Sequence, residues 1–161
     1  MLAVKYKGDK MKKVLVTGAT GQIGSELTLY LRKLLGGKNI IAAGHNRVPG
    51  KEIRESGPYQ PIDCTNIDTM AALVRKYKID TIFHLAAILS ATAEKNPRLA
   101  WHINVNGLCN VLEIARECLC AVFTPSSIAT FGPATPMDKT PQDTVQRPTT
   151  IYGITKVTGE L

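Results

Sequence analysis

Residues 14–27 read VLVTGATGQIGSEL, and the fold follows from how this stretch is parsed. A short apolar run, Val14-Leu15-Val16, ends in Thr17 and meets three glycines, Gly18, Gly21 and Gly24. Beyond them Ile23, Leu27, Leu31 and Leu34 recur at three- and four-residue steps, the spacing of one buried helix face. Strand, glycine turn and helix in that order make the shape that a dinucleotide pyrophosphate needs. Gly18 can take backbone angles closed to other residues, and Gly21 lets the chain approach phosphates without a Cβ in the way. Gly24 lets the helix pack close to the strand. The N–H groups and the positive dipole end of that helix then face the anion. A tight turn used for packing alone is the plainer reading, and the motifs downstream weigh against it.

Outward from this turn, strands and helices alternate. Gly36-Gly37 stops the first helix, and residues 39–43 (NIIAA) read as a second buried strand. Residues 59–63 (YQPID) form a short third strand whose Pro61 suggests an exposed edge or an early start. Residues 67–77 follow as an amphipathic helix with Met70, Leu73, Val74 and Tyr77 on one face. Residues 80–87 (DTIFHLAA) are apolar on both sides, as a parallel strand covered by helices requires. Pro97 begins a long helix to about Glu117, with Leu108, Leu112 and Ala115 toward the core. Residues 121–124 are a fifth strand that delivers Pro125-Ser126-Ser127. The alternation predicts an α/β fold, a doubly wound parallel sheet of Rossmann type, spanning residues 13–161.

Composition narrows the function. The chain has 161 residues, 44% hydrophobic and 20% charged, enough for one domain with a real core. No run is long enough to cross a membrane, and residues 1–13 (MLAVKYKGDKMKK) lack the apolar segment of a signal peptide. A cytoplasmic protein with no membrane partner is expected. The formal charge of +7 is concentrated in a basic leader, residues 1–12 and the adjoining Lys13. Setting aside its five lysines and Asp9 leaves 15 basic against 12 acidic residues, which is not a nucleic-acid-binding balance. Cys64, Cys109, Cys118 and Cys120, and likewise His45, His84 and His102, lack metal-ligand spacing, so no metal is expected. The thiols read as reduced and mostly buried, and His84 as a core histidine.

Several positions carry the chemistry. An NAD site of this kind has an acidic residue about 20 residues past the glycines to grip the adenosine ribose, but that count lands on Gly44. Losing two charged hydrogen bonds, at roughly 1.5–3 kcal/mol each before compensation, weakens NAD by tens- to hundreds-fold. A Gly44→Asp change is then expected to tighten NAD by about tenfold. Arg47, in a loop with Pro49 and Gly50, is thin support for NADP instead. Asp63 ends the third strand and reads either as a cofactor contact or as a helix cap, a role open to Thr65 and Asn66 as well. Residues 133–148 are a polar, proline-rich loop, long enough to cover a site. It leads to Tyr152 and Lys156, four apart and therefore on one helix face. An ammonium beside a phenol favours the phenolate, which makes a tyrosine usable as a general base.

Taken in one register, TGATGQIG, HLAA (84–87), ILSATAEKNPRLAWHINVNG (88–107), PSS (125–127), FGP (131–133) and YGITK (152–156) resemble the extended short-chain dehydrogenase/reductases, the NAD-dependent epimerase/dehydratase group. Within it they resemble the NAD-dependent L-threonine 3-dehydrogenases. The resemblance implies NAD as cofactor, held by Gly18, Gly21, Gln22, Ile23, Gly24, Arg47, Asp63, Cys64, Leu85, Ala86, Ala87, Asn104, Tyr152 and Lys156. In that scheme Asp63 receives the adenine amino group, and Asn104 supports the lysine. It further implies that Tyr152 deprotonates the 3-hydroxyl of L-threonine, that Ser127 holds its oxygen, and that Lys156 binds the nicotinamide ribose. Ser90 is a candidate for the substrate's carboxylate or ammonium, against the plainer reading of a loop serine. The product is 2-amino-3-oxobutanoate, and the family habit is a homodimer.

Besides Gly44, the chain departs from the family pattern in two places. Ala129 stands where the subgroup often has glycine, and residue 161 falls five residues after Lys156, where family members continue into a sixth strand and a substrate lobe. The expectation on that count is an incomplete, self-associating enzyme. Two alternatives stay open: a nucleotide-sugar epimerase or dehydratase, which commonly has proline where Ile151 precedes the tyrosine, and a non-catalytic nucleotide-binding fragment.

Overall fold

Every residue of the first strand, β1 (Val14–Thr17), is buried, and its side chains alternate between two apolar clusters. Leu15 joins Ile41, Met70, Val74, Ile82, Val111 and Ile114, while Val14 and Val16 join Leu31, Ile40, Ala42 and Ile53. That period of two, with apolar cover on both faces, makes β1 the centre of a doubly wound sheet. The computed structural model describes residues 11–161, so most of the basic leader lies outside the described residues. The chain divides into two units, Met1–Ala86 with Cys109–Thr124, and Ala87–Leu108 with Pro125–Leu161.

The first unit holds a five-stranded parallel sheet in the order β3-β2-β1-β4-β5. Its other strands are β2 (Ile40–Gly44), β3 (Tyr59–Pro61), β4 (Thr81–His84) and β5 (Ala121–Phe123). Val14 pairs with Ile40 on one side and Thr81 on the other. β3 is an edge strand, as Pro61 predicts. Helix α1 (Gln22–Leu35) ends at Gly36, and α2 (Lys51–Ser56) contributes Ile53 to the cluster of Val14 and Val16. Helix α3 (Ile67–Tyr77) buries Met70, Ala71, Leu73 and Val74.

Several expectations need correction. On α1 the buried face is Gly24, Thr28, Leu31 and Arg32, whereas Ile23 and Leu34 are more than 60% exposed. Small Gly24 and Thr28 allow the helix to lie against the sheet, so the buried stripe is shifted from the leucine stripe. Arg32 was invisible as a core residue. It is 4% exposed, and its guanidinium donates to the carbonyls of Ile40, Ile53 and Pro58 and to Ser56 Oγ. It ties the end of α1 to β2, α2 and the entry to β3. The six residues of α2 are too short to show a period and were not anticipated. Among the cysteines Cys64 and Cys120 are buried, but Cys109 is exposed.

The second unit contains α4 (Ser90–Lys95), α5 (Pro97–Trp101), a π-helical turn over His102–Asn106, a 3₁₀ turn over Ile128–Thr130, and α7 (Ile151–Glu160). The helix that begins at Pro97 runs on through the π turn into α6 (Gly107–Cys118), which crosses from this unit into the first. The π turn shifts the helical phase. Within α6 Leu108 and Ala115 are buried as expected, together with Val111 and Ile114, whereas Leu112, also expected in the core, is 48% exposed.

Candidate functional site

In the first unit the turn after β1 has the form of a phosphate cradle. Gly18 has φ +69°, a conformation that a side chain penalises, and a Cβ there would lie 2.7 Å from the Leu85 carbonyl carbon. At Gly24 a Cβ would lie 2.2 Å from the Gly18 carbonyl oxygen, so α1 can start this close to the turn only as glycine. Gly21 differs, because a Cβ there would meet only that same oxygen, at 3.2 Å, and the space before it is otherwise open. Gln22 and Ile23 open the helix and are both exposed. The first N–H groups of a helix have no intrahelical acceptor, which suits this end to a diphosphate. The residues present therefore fit a dinucleotide.

Leu85 and Ala86 follow β4 beside this turn. The Leu85 N–H donates to the Thr17 carbonyl at 3.3 Å, and the Ala86 N–H donates to Thr17 Oγ1 at 3.4 Å. Thr17 Oγ1 also lies 2.8 Å from Nδ1 of His84, which is 3% exposed and belongs to the core as expected. Thr17 thus joins the ends of β1 and β4. The sequence showed it only as the polar end of an apolar run.

At the end of β2 Gly44 is buried, and a Cβ on it would lie 2.8 Å from Tyr59 Oη and 2.9 Å from Thr20 Cγ2, so a side chain there requires these side-chain ends to move. Asp63 closes its own turn. Its Oδ1 accepts from the Thr65 N–H at 2.9 Å and Thr65 Oγ1 at 2.7 Å, and its Oδ2 lies 3.8 Å from His45 Nε2. The cap of α3 is Asn66, whose Oδ1 accepts from the Thr69 N–H. Cys64 is buried, and burial, with the charge of Asp63 adding, pushes its thiol up to about 11. Asn110 Nδ2 donates to the carbonyls of Cys64 and Thr65 and fixes this turn. Arg47 is exposed, three residues past β2.

In the second unit, α7 gathers the expected catalytic residues. Thr150 caps it by accepting from the Gly153 N–H at 3.0 Å. Gly153 is required by packing, since a Cβ would lie 2.1 Å from the Ala129 carbonyl oxygen. Tyr152 and Lys156 share a face as their spacing predicts, with Lys156 Nζ 5.7 Å from the centre of the Tyr152 ring. The same Nζ donates to the Pro125 carbonyl at 2.8 Å, and burial lowers the Lys156 pKa from its ordinary value. One turn on, Glu160 accepts from Ser126 Oγ and from Gln146 Nε2. Lys156 and Glu160 therefore pin the Pro125-Ser126-Ser127 turn to α7. Ser127 Oγ accepts from the Ala129 N–H at 3.2 Å, which leaves its own proton to donate.

Asn104, 7% exposed in the π turn, accepts from the Ile88 N–H at 2.7 Å and donates to the Ile88 carbonyl and to Thr155 Oγ1. It reaches α7 through the residue beside Lys156. Its two bonds to Ile88 hold the strand exit that carries Ala87 and leads to Ser90, the exposed first residue of α4. π turns recur at functional sites because they re-aim a side chain. An open cleft of about 570 Å³ is lined by Ser127, Phe131, Gln142, Thr144 and Glu160 among others, whereas Tyr152 and Lys156 do not line it. Among the described residues no helix is long and apolar enough to cross a membrane.

With this geometry in hand, the chain can be set beside known proteins. It is 50% identical over 151 residues to an uncharacterized epimerase/dehydratase of Staphylococcus saprophyticus, covering 94% of this chain and 47% of that protein. It thus spans about half the length of the curated relatives it matches. The structure of L-threonine dehydrogenase from Clostridium difficile superposes with a TM-score of 0.91 at 53% identity, over 94% of this chain and 48% of that one. A UDP-glucose 4-epimerase from Thermotoga maritima shares the fold, with a TM-score of 0.81 at 22% identity over 92% of this chain and 48% of that one. Residues 14–161 match the NAD dependent epimerase/dehydratase family throughout. The chain belongs to that family, and NAD is the cofactor of that family.

Proposed function

We propose that this chain supplies the dinucleotide-binding domain, residues 13–161 behind the basic leader, and the catalytic dyad of an NAD-dependent L-threonine 3-dehydrogenase. The observation that carries the reading is the pairing of Tyr152 with Lys156 on α7, 5.7 Å from ammonium nitrogen to ring centre. The 53% identity to an L-threonine dehydrogenase of known structure supports the choice of substrate. Exposed Leu99 and Trp101 on α5 and Ile154 on α7 support a homodimer.

In this reading Tyr152 takes the proton from the 3-hydroxyl of L-threonine. Ser127 donates its proton to the reacting oxygen and orients it. Lys156 holds the nicotinamide ribose, Asn104 positions α7 and the segment before Ser90, and Ser90 receives the carboxylate or ammonium of the amino acid. Gly18, Gly21, Gln22, Ile23 and Gly24 hold the diphosphate. Cys64, Asp63 and Arg47 lie toward the adenosine, and Leu85, Ala86 and Ala87 toward the nicotinamide end. NAD when bound accepts hydride from C3, so the products are 2-amino-3-oxobutanoate, NADH and a proton.

The test is threonine-dependent formation of NADH, compared with Tyr152→Phe. The variant keeps the ring and loses the proton acceptor. It is expected to lose at least about 100-fold in turnover while NAD affinity stays within a few-fold. Substantial turnover by the Phe variant, or none by the parent chain with L-threonine, overturns the reading.

A further inference from the structure

We infer that Glu160 is a positioning residue of this site. Through Ser126 it sets the place of Ser127, and through Gln146 it holds the loop of residues 133–148 at the cleft. The inference rests on the role proposed for Ser127 and assigns one to a carboxylate that the proposed reaction does not use. Tyr152, Lys156 and Glu160 follow one another at four-residue steps, so they fall along one face of α7. Lys156 Nζ donates to the Pro125 carbonyl at 2.8 Å, and Glu160 Oε1 accepts from Ser126 Oγ. The helix that carries Tyr152 therefore grips the turn before Ser127 at two consecutive residues.

The second oxygen of Glu160 has a different partner. Its Oε2 accepts from Gln146 Nε2 at 2.6 Å, and Gln146 stands near the end of the polar loop that leads into α7. One carboxylate thus joins the turn and the loop, each through an oxygen of its own. Its charge makes both bonds of the stronger kind. The cleft of about 570 Å³ is lined by Ser126 and Ser127 from the turn, by Gln142, Thr144 and Gln146 from the loop, and by Glu160 itself. Both segments that bound this cleft are therefore fastened to the same side chain. Lys156 has the nicotinamide ribose to hold in the proposed reading, whereas Glu160 is left with these two bonds. A reacting group misplaced by about 1 Å can cost on the order of 100-fold in rate, so a tether one residue from Ser127 bears on turnover.

Steady-state kinetics with L-threonine and NAD separates the two joints. Ser126→Ala is expected to lower kcat about tenfold with KM within about twofold, because a misplaced hydroxyl costs most in the transition state. Gln146→Ala is expected to raise KM about fivefold and to lower kcat less than about twofold, because the loop bounds the cleft. Glu160→Ala should combine both losses. Ser126 is exposed and Gln146 half-buried, so their variants should fold, and unchanged NAD affinity is the control. Glu160→Ala kinetics within about twofold of the parent overturn the inference, as do identical kcat and KM changes in Ser126→Ala and Gln146→Ala. Absence of threonine turnover in the parent overturns the substrate reading instead. Tryptic cleavage after Lys139, the exposed lysine of the loop, then tests the tether without turnover. Cleavage at least about threefold faster in both Gln146→Ala and Glu160→Ala, with Ser126→Ala unchanged, supports it. Equal rates in all four chains overturn it.

Discussion

The two units are held together by different physics. The first is built on apolar burial. Its sheet lies between one cluster around Leu15, Ile41, Met70 and Ile82 and another around Val16, Leu31 and Ile40, with most members below 5% exposed. The second contributes no residue to either cluster. Besides Val105 and Leu108, its buried residues are small or polar, among them Ala93, Ala100, Asn104, Thr130 and Thr155, and many of its joints are side-chain hydrogen bonds to backbone. A dinucleotide site needs a rigid turn that positions N–H groups, which a packed sheet supplies. A proton-transfer site needs hydroxyls, an ammonium and a phenol held close together, and an apolar core cannot supply these.

That contrast is broken most forcefully by deleting core volume. Ile82 is fully buried at the centre of the first unit, and Ile82→Ala is expected to cost about 2–5 kcal/mol through lost contacts and the cavity left behind. The matching change in the second unit, Ile154→Ala, removes a side chain that is 41% exposed and should stay within about 0.5 kcal/mol. Denaturant titration of both variants checks the pair. Similar losses would show that the second unit has an apolar core of its own.

The same contrast explains what the sequence disclosed. The alternation of strands and helices, the edge position of β3 and the glycine turn were legible, because apolar periodicity, Pro61 and Gly18 are local signals. The register of the long helix was not. Nothing in HINVNG announces a π turn, and the apolar pattern after it did not separate exposed Leu112 from buried Leu108, Val111, Ile114 and Ala115. Arg32 was missed because a buried arginine looks like a surface one until its carbonyl partners, eight to 26 residues away in the chain, are in place. The crowding of Gly44 by the side-chain ends of Tyr59 and Thr20 is likewise a tertiary fact. In the second unit YGITK disclosed the dyad, but the bonds that hold it, from Lys156 to Pro125 and from Asn104 to Ile88 and Thr155, carry no periodicity.

A polar deletion in the second unit should have a smaller effect, concentrated in one place. Asn104→Ala leaves the Ile88 N–H without its acceptor and frees both the Ile88 carbonyl and Thr155 Oγ1 from their shared donor. The expected cost is about 1–3 kcal/mol. Hydrogen exchange should accelerate at the Ile88 amide and across α7, while amides of β1 and β4 stay protected. Equal acceleration in the sheet would mean that Asn104 belongs to the same cooperative unit as the first core.

The smallest effect is a pH dependence, and it separates the buried cations of the two units. Burial lowers the pKa of both Arg32 and Lys156. Arg32 has four acceptors and stays charged throughout the accessible range, because a guanidinium does not lose its proton in proteins. Lys156 donates to one carbonyl, that of Pro125, and an ammonium can lose its proton. With its folded pKa below the ordinary 10.5, Lys156 binds fewer protons folded than unfolded in the window between those two values. Stability then rises with pH across that window. The burial penalty is fully present below the folded pKa and is relieved as pH rises through it toward 10.5. Subtracting the stability of Lys156→Met from that of the parent at each pH cancels the other titrations. The difference should move in the parent's favour between neutral pH and about 10.5. The matching difference for Arg32→Met should be flat, because its charge does not change. A flat Lys156 difference would mean that the Pro125 carbonyl fully offsets the desolvation of the ammonium.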